Sequence, residues 1–437
     1  MIHLAVMIEI NGENRYVGDI TGTNSMDACF SYADEYLSDC GSSAISISLP
    51  LEEKTFEPIK TKCFFEGLLP EGFTRKCVAK WLRADEEDYI TILSELGGEC
   101  LGAIKIVDKN GINVKSEYRL LETNEISALA REGASKSADI VTRSHLSLTG
   151  ASGKVGLYYD EKNRKWYQTI GDAPSTHIVK QSHIRFKKIV ANEQLCLMTA
   201  QNLGIPVPES FMIRGNRISG KSKRNITGSD NTEFSEDDEI LFAARRYDRK
   251  LYGSKKVIDG LPVPFRLHQE DFVQAMGISS SDKYEKNNDG YLKRAFDIIR
   301  IYSAAPIEDQ LRLWDICIFN YLIGNTDNHI KNISLIYGED LKSIRLAPAY
   351  DIVSTVIYDS NTEDMAFSIG REYNINKITR DSFEAEAQHI GLGRKMALAR
   401  YDNMAAQFKD ALSKAMSDIS REFRDADKLG DRILKRD

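Results

Sequence analysis

The chain has 437 residues, 42% of them apolar and 28% charged, with Lys+Arg 58 against Asp+Glu 65. That length suits two or three domains and that apolar share fills packed cores, which argues against a collagenous or largely disordered chain. The net charge of −7 speaks against a protein that grips nucleic acid by itself.

No run approaches the ~18–20 apolar residues of a membrane helix. The start lacks a basic segment and reaches Glu9 too early for a signal peptide, so a cytoplasmic protein is expected. The charge is uneven. Residues 1–122 carry 12 basic and 21 acidic side chains, the remainder 46 and 44. An acidic first domain favours a basic protein partner. The seven cysteines (29, 40, 63, 77, 100, 196, 317) form no CxxC pair and read as buried free thiols.

Residues 1–122 read as a small mixed domain. Alternation from His3 to Ile10, the Asn11-Gly12 turn and Tyr16-Val-Gly predict a hairpin. Ser43–Leu51 reads as a further strand. Arg75–Leu82 and Tyr89–Leu96 have helical spacing, the second closing at Gly97-Gly98, and Ala103–Val107 is strand-like. Glu122–Ser137 reads as a connector with a short helix. Leu146 and Leu148 then lead into Gly150-Ala-Ser-Gly153-Lys154-Val-Gly156, followed by the strand Val155–Tyr159. Strand, glycine-rich turn, strand is a plan by which backbone N–H groups approach an anion, although the spacing also fits a plain hairpin.

Asp160–Arg164 is a turn and Trp166–Ile170 the return strand. Thr176–Lys180 is a short strand ending on a lysine, and the helix through Ile189, Asn192, Glu193, Cys196 and Ala200 closes at Gly204 and Pro206. Phe211–Ile213 is a strand. The polar segment Gly215–Glu239 reads as a mobile loop, and Ile240–Tyr247 as a strand leading out of the small sheet. Beyond Leu261 the pattern turns helical. Leu311, Trp314, Ile318 and Tyr321 lie on one stripe that Gly324 stops, and Tyr401 to Phe423 form another.

The densest polar cluster, Gly324-Asn-Thr-Asp327-Asn-His329-Ile-Lys331-Asn332, follows the first of these helices. A kinase catalytic loop sets an Asp that accepts the substrate hydroxyl proton five residues before an Asn that holds Mg²⁺. Asp351, at the exit of a hairpin formed by Ile333–Tyr337 and Ile344–Ala347, stands where the main Mg²⁺ ligand would be. Lys180 and Glu193 have the order of the ion pair that aims a lysine at nucleotide phosphates, but also suit an exposed strand lysine and a helix-surface glutamate. His329 reads as a structural, hydrogen-bonding residue.

With these blocks in order, the sequence resembles the HipA-type serine/threonine kinases of bacterial toxin–antitoxin modules. Phe65-Glu-Gly-Leu-Leu-Pro-Glu-Gly-Phe-Thr-Arg75 and Leu96–Ala103 are similar to the family's N-terminal part, and Ser147-Leu-Thr-Gly-Ala-Ser-Gly-Lys154 to its glycine-rich loop. Pro174–Lys180, Asn192-Glu193, Arg246–Arg249, His268–Phe272, Gly324–Asn332 and Ala347–Asp351 match further blocks. The resemblance implies Asp327 as catalytic base, Asn332 and Asp351 as Mg²⁺ ligands, and Lys180 with Lys154 on ATP phosphates. It also implies Gly150 and Gly153 in the phosphate loop, the backbone around Arg246 and Tyr247 as adenine hinge, and supporting places for Glu193, His329 and Lys331. Ser147 would be autophosphorylated, which would eject the loop. Ser152 replaces the usual Gln, Arg245 the usual Glu, and Gly215–Glu239 is longer than usual.

The expected architecture is an α+β, protein-kinase-like bilobal fold with an additional N-terminal α/β subdomain: 1–122 docked on the small lobe, 123–250 as N-lobe and 251–437 as helical C-lobe. The expected function is an ATP- and Mg²⁺-dependent kinase toxin acting on a protein, an aminoacyl-tRNA synthetase such as the glutamyl enzyme being suggested by the resemblance. A separate HipB-type helix-turn-helix antitoxin would restrain it and link it indirectly to DNA. A kinase with a non-protein acceptor, and a non-catalytic nucleotide-binding corepressor, are the alternatives.

Overall fold

The computed structural model describes residues 1–108, 115–132, 153–181, 186, 188–214, 240–358, 362–420, 423 and 425–435. The Leu146–Ser152 part of the glycine-rich stretch and the Gly215–Glu239 segment lie outside them.

The first sheet grows from the expected hairpin. β1 (Ile2–Ile10) pairs antiparallel with β2 (Glu13–Gly22) across Asn11 and Gly12, both at positive φ as a two-residue turn requires. A Cβ on Gly12 would also strike the Phe265 ring at 2.3 Å. With β3 (Cys29–Tyr32), β4 (Thr55–Phe56) and β5 (Ile104–Asp108) the strand order is β4-β3-β2-β1-β5. α1 (Pro58–Phe65), α2 (Gly72–Leu82) and α3 (Tyr89–Leu96) lie between β4 and β5 in the chain. Their inward residues, Phe64, Phe65, Val78, Ile92 and Leu93, are buried in the same core as Val6, Ile8 and Phe30.

Ser43–Leu51 is not a strand. Ile45 and Leu49 are fully buried, which accounts for its apolar pattern, but turns and side chains satisfy its backbone. Tyr32 Oη donates to Leu49 O at 2.7 Å and accepts from Ile45 N at 3.1 Å, while Ile47 N donates to Glu270 Oε1 at 3.1 Å. All seven cysteines are free, but only four are buried: Cys29 and Cys77 are half-buried and Cys40 is exposed.

A second sheet of six strands has the order β10-β11-β9-β7-β8-β6, with β6 (Glu117–Leu120), β7 (Lys154–Asp160), β8 (Lys165–Ile170), β9 (His177–Gln181), β10 (Ser210–Arg214) and β11 (Ile240–Arg245). α4 (Ile189–Asn202) packs on β10 and β11. β6, from within residues 1–122, is therefore the edge of this second sheet. Beyond Leu261, short strands precede the first long helix. One of them, β12 (Gln269–Asp271), joins β13 (Ser334–Tyr337) and β14 (Ile344–Leu346) in a three-stranded sheet.

The helical part contains α5 (Tyr291–Tyr302), α6 (Pro306–Ile323), α7 (Arg380–Ile390) and α8 (Arg394–Ile419). Pro306 opens α6 at a position where a missing N–H costs nothing, and Gly324 closes it at φ 75°. Trp314 is fully buried, and its indole N–H donates to Ala397 O of α8 at 3.1 Å. Among the described residues no helix is long and apolar enough to cross a membrane.

Glu270 joins the first sheet's unit to the three-stranded sheet. Its carboxylate accepts from Ser46 Oγ at 2.5 Å, from Ile47 N and from Tyr337 Oη. Burial raises its pKa to about 7, against the opposing pull of these three donors. The folded state therefore holds a proton that the unfolded chain releases near pH 4.5. The group's stabilisation is complete below about pH 4.5 and is lost as pH rises to about 7, a span worth about 3 kcal/mol. Denaturant titrations at pH 5 and pH 8 check this: Glu270→Gln is expected to reduce the loss of stability between them.

Candidate active site

Four charged groups meet where the second sheet faces the helical part. Lys154 and Lys180 are opposite residues on β7 and β9, so their side chains share one face of the sheet. Lys180 Nζ donates to Glu193 Oε1 of α4 and to Asp351 Oδ1, each at 2.7 Å, and Lys154 Nζ lies 3.9 Å from Asp351 Oδ2. Burial alone would raise the Asp351 pKa, but the two ammonium groups outweigh it and hold the carboxyl well below the usual carboxylate range. Burial opposes the charge on Lys180, yet Asp351 and Glu193 keep its pKa above normal. Lys154 is pushed down by burial, and Lys180 adds to this against the attraction of Asp351. Burial raises Glu193.

Asp351 itself has φ 56°, a left-handed conformation that Asp tolerates better than most residues. The chain is held on both sides of it. Ala349 N donates to Pro206 O at 2.9 Å, and Tyr350 Oη donates to Lys331 O at 3.1 Å. Asn192 of α4 exchanges two hydrogen bonds with the backbone of Ser354. One turn of α4 therefore carries both the Lys180 partner and the anchor of the segment after Asp351.

The Asp327 loop starts at the αL end of α6. Asn325 Nδ2 donates to Asn320 Oδ1 at 2.7 Å, Thr326 N donates to Thr355 Oγ1 at 2.7 Å, and Asp327 N donates to Asn325 Oδ1 at 3.1 Å. Asn332 Nδ2 donates to Asp327 O at 3.1 Å, so the two residues of the five-residue spacing are tied together. Tyr284 Oη donates to Asp327 Oδ1 at 2.5 Å. Asp327 opens to solvent in a cleft of ≈ 450 Å³ that Tyr284, Thr326, Asp364, Met365 and Tyr373 also line. The protein packed around it withdraws enough water to raise its pKa, against the Tyr284 hydrogen bond.

His329 Nδ1 has no hydrogen-bond partner; burial brings the imidazole down to about pKa 3, and the neutral ring packs edge-on against Tyr284 at 5.2 Å. Of the backbone expected to line an adenine hinge, the Arg246 N–H donates to Thr176 O at 2.9 Å. The Arg246 guanidinium is buried between Glu99 and Asp248, with Arg249 completing the cluster at 2.6–3.2 Å. Burial opposes the Glu99 charge, and the arginines outweigh it and bring the carboxyl down to about 2. The Tyr247 ring lies 5.8 Å from that of Tyr350, the residue before Asp351. Gly153 is buried at the start of β7, while Ser147, Gly150 and Ser152 lie outside the described residues. Arg245 reaches across the surface to Glu161. Lys331 is buried and pairs with Glu71. Sequence reasoning assigned no role to Tyr284, Lys283 or Glu71. Only Glu71 carried a signal, its place in the Phe65–Arg75 block.

The family model for the HipA N-terminal domain matches residues 8–107, and that for the HipA-like C-terminal domain matches residues 146–412. The chain belongs to the HipA family. A putative kinase, Y4mE, of Sinorhizobium fredii is 28% identical over 417 residues, covering 93% of this chain and 91% of the relative. The serine/threonine-protein kinase toxin HipA of Shewanella oneidensis is 24% identical over 417 residues, covering 92% and 88%. The solved complex of Shewanella oneidensis HipA with HipB and operator DNA contains a chain that superposes with a TM-score of 0.76 at 20% identity, over 99% of this chain and 96% of that one. The α+β, kinase-like bilobal fold expected from the sequence is the fold of this HipA-family chain.

The Arg246 cluster yields a stability test. Arg246→Met would leave Glu99 and Asp248 with one guanidinium instead of two, and breaking a buried pair costs about 3–5 kcal/mol. Chemical denaturation is expected to show a loss of that size.

Proposed function

We propose that this protein is an ATP- and Mg²⁺-dependent serine/threonine protein kinase that serves as the toxin of a toxin–antitoxin module. The observation that carries the reading is the Lys180–Glu193–Asp351 cluster, with Lys154 beside it, facing a loop in which Asn332 is bonded to the Asp327 carbonyl. A protein kinase needs a lysine oriented by a helix glutamate, a metal-binding Asp and a base-plus-Asn loop.

The donor set suits Mg²⁺: one ionised carboxylate on Asp351 and the Asn332 Oδ1, left over once Nδ2 bonds to Asp327 O. Bound there, Mg²⁺ would neutralise charge on the nucleotide phosphates. Lys180 and Lys154 would hold phosphate oxygens, and Glu193 keeps Lys180 in place when the nucleotide competes for it. Asp327 would take the acceptor hydroxyl's proton. Its Oδ1 is occupied by Tyr284, which leaves Oδ2 for that proton, and its raised pKa makes it a better base than an ordinary aspartate. The adjoining cleft has room for the acceptor side chain.

The relatives' names support the same reading: one is a kinase toxin, and the structural neighbour was solved with HipB and operator DNA. A HipB-like antitoxin is the proposed partner, a protein the proposed acceptor, with an aminoacyl-tRNA synthetase suggested by the family resemblance, and Ser147 the proposed autophosphorylation site.

Intact mass after incubation with ATP and Mg²⁺ tests the proposal. The wild type is expected to gain phosphate on the Ser147 loop, and Asp327→Asn to lose about 10²–10⁴-fold in rate. No gain in the wild type and no transfer to any lysate protein would overturn the reading.

A further inference from the structure

Glu71 comes from the N-terminal unit, yet its carboxylate reaches the Asp327 loop. It occupies the N-cap position of α2, where a side-chain oxygen usually accepts from the helix's own first N–H groups, but it makes no such bond. Both oxygens are used elsewhere. Oε2 accepts from Lys283 Nζ at 2.8 Å and Oε1 from Lys331 Nζ. The Lys331 side chain is only 3% exposed and Glu71 16%, so the pair is shielded from water. Burial would raise the Glu71 pKa, but Lys331 and Lys283 outweigh it and bring it down to about 2, which keeps the carboxylate charged at neutral pH.

The two lysines are the chain neighbours of two of the groups that hold Asp327. Lys283 precedes Tyr284, whose hydroxyl bonds Asp327 Oδ1, and Lys331 precedes Asn332, whose amide bonds Asp327 O. Ile330 N also donates to Lys283 O at 3.4 Å, and Lys331 O accepts from Tyr350, the residue before Asp351. One carboxylate thus spans both flanks of the loop and is linked through Lys331 to the residue before Asp351.

We infer that Glu71 is a positioning residue for phosphoryl transfer: by clamping Lys283 and Lys331 together it fixes Tyr284 and Asn332 around Asp327. Its effect on turnover rests on the kinase reading, whereas its effect on the loop does not. The N-terminal unit is then part of the active-site frame. A misplacement of about 1 Å can cost on the order of 10²-fold in rate, so a remote clamp can govern turnover without touching substrate.

The test uses full-length Glu71→Gln and Glu71→Asp proteins. Four measurements are needed: thermal melting, calorimetric affinity for a non-hydrolysable ATP analogue with Mg²⁺, autophosphorylation kinetics, and amide hydrogen exchange of residues 325–333. Glu71→Gln is expected to lose much less in analogue affinity than in rate, because Lys154, Lys180 and Asp351 are untouched and only Asn332 of the Mg²⁺ donor set lies in the clamped loop: affinity within about tenfold of wild type, against about 10²-fold in kcat. Exchange in 325–333 should quicken while the rest of the chain is unchanged, and Glu71→Asp should recover part of both effects. Wild-type kcat and wild-type loop exchange in Glu71→Gln would overturn the inference. So would a lost rate accompanied by equal losses in analogue affinity and in protection across the whole chain. If the wild type itself transfers no phosphate, the kinase reading fails, and loop exchange alone decides the clamp: unchanged exchange overturns it.

Discussion

The Asp351 carboxylate, set between the Lys180 and Lys154 ammonium groups, is the interaction on which the arrangement depends. Charges this close to the protein interior are tolerated only when paired, so each of the three requires the others in place. The sheet supplies one side of the contact, because β7 and β9 put the two lysines opposite each other. The loop after the β13–β14 hairpin supplies the other, in a left-handed turn that Asn192 and Tyr350 anchor. Glu193 makes the arrangement asymmetric: Lys180 has two anionic partners and Lys154 one at longer range, which explains why burial wins for Lys154 and loses for Lys180.

Carboxylates also fasten the N-terminal unit to the rest. Glu99 enters the Arg246–Asp248–Arg249 cluster where β11 leaves its sheet, Glu270 accepts from Ser46 and Ile47, and Glu71 reaches Lys283 and Lys331. Part of the acidity of residues 1–122 is therefore consumed inside the molecule. The negative excess that suggested a basic partner also has intramolecular partners, and the family block Arg246–Arg249 owes its charges to that cluster. His268–Phe272 has a similar explanation. His268 bonds Ile45 O at 2.7 Å, Glu270 holds the Ser46 turn, and Asp271 caps a short helix through Gln274.

Much of the fold could be read from local pattern. The Asn11-Gly12 hairpin, the helices expected over Arg75–Leu82 and Tyr89–Leu96, and the long helix that Gly324 stops follow from turn chemistry and apolar spacing, which act over a few residues, whereas the stripe read from Tyr401 to Phe423 outruns its helix, which ends at Ile419. Ser43–Leu51 misled because buried Ile45 and Leu49 mimic a strand, while the hydrogen-bond partners that replace a ladder, Tyr32 and Glu270, are distant in sequence. Lys180, Glu193 and Asp351 were picked out by residue type and order, and Asp327 with Asn332 by their spacing; the structure brings the first three together and joins the last two by a hydrogen bond. Tyr284 and Lys283 were not picked out, since a lysine and a tyrosine in a polar stretch carry no spacing signal.

The sequence by itself determined most of the elements, the family and the candidate chemical groups, because propensity, turn residues and motif spacing are properties of neighbouring residues. Only the tertiary structure decided which charges face each other. It packed the His329 ring edge-on against Tyr284, bonded the Arg246 N–H to Thr176 O, and brought Glu71 to the Asp327 loop. The physical reason is that pairing energy and desolvation depend on distances across the folded chain, and contacts between residues hundreds of positions apart leave no periodic trace in the order of amino acids.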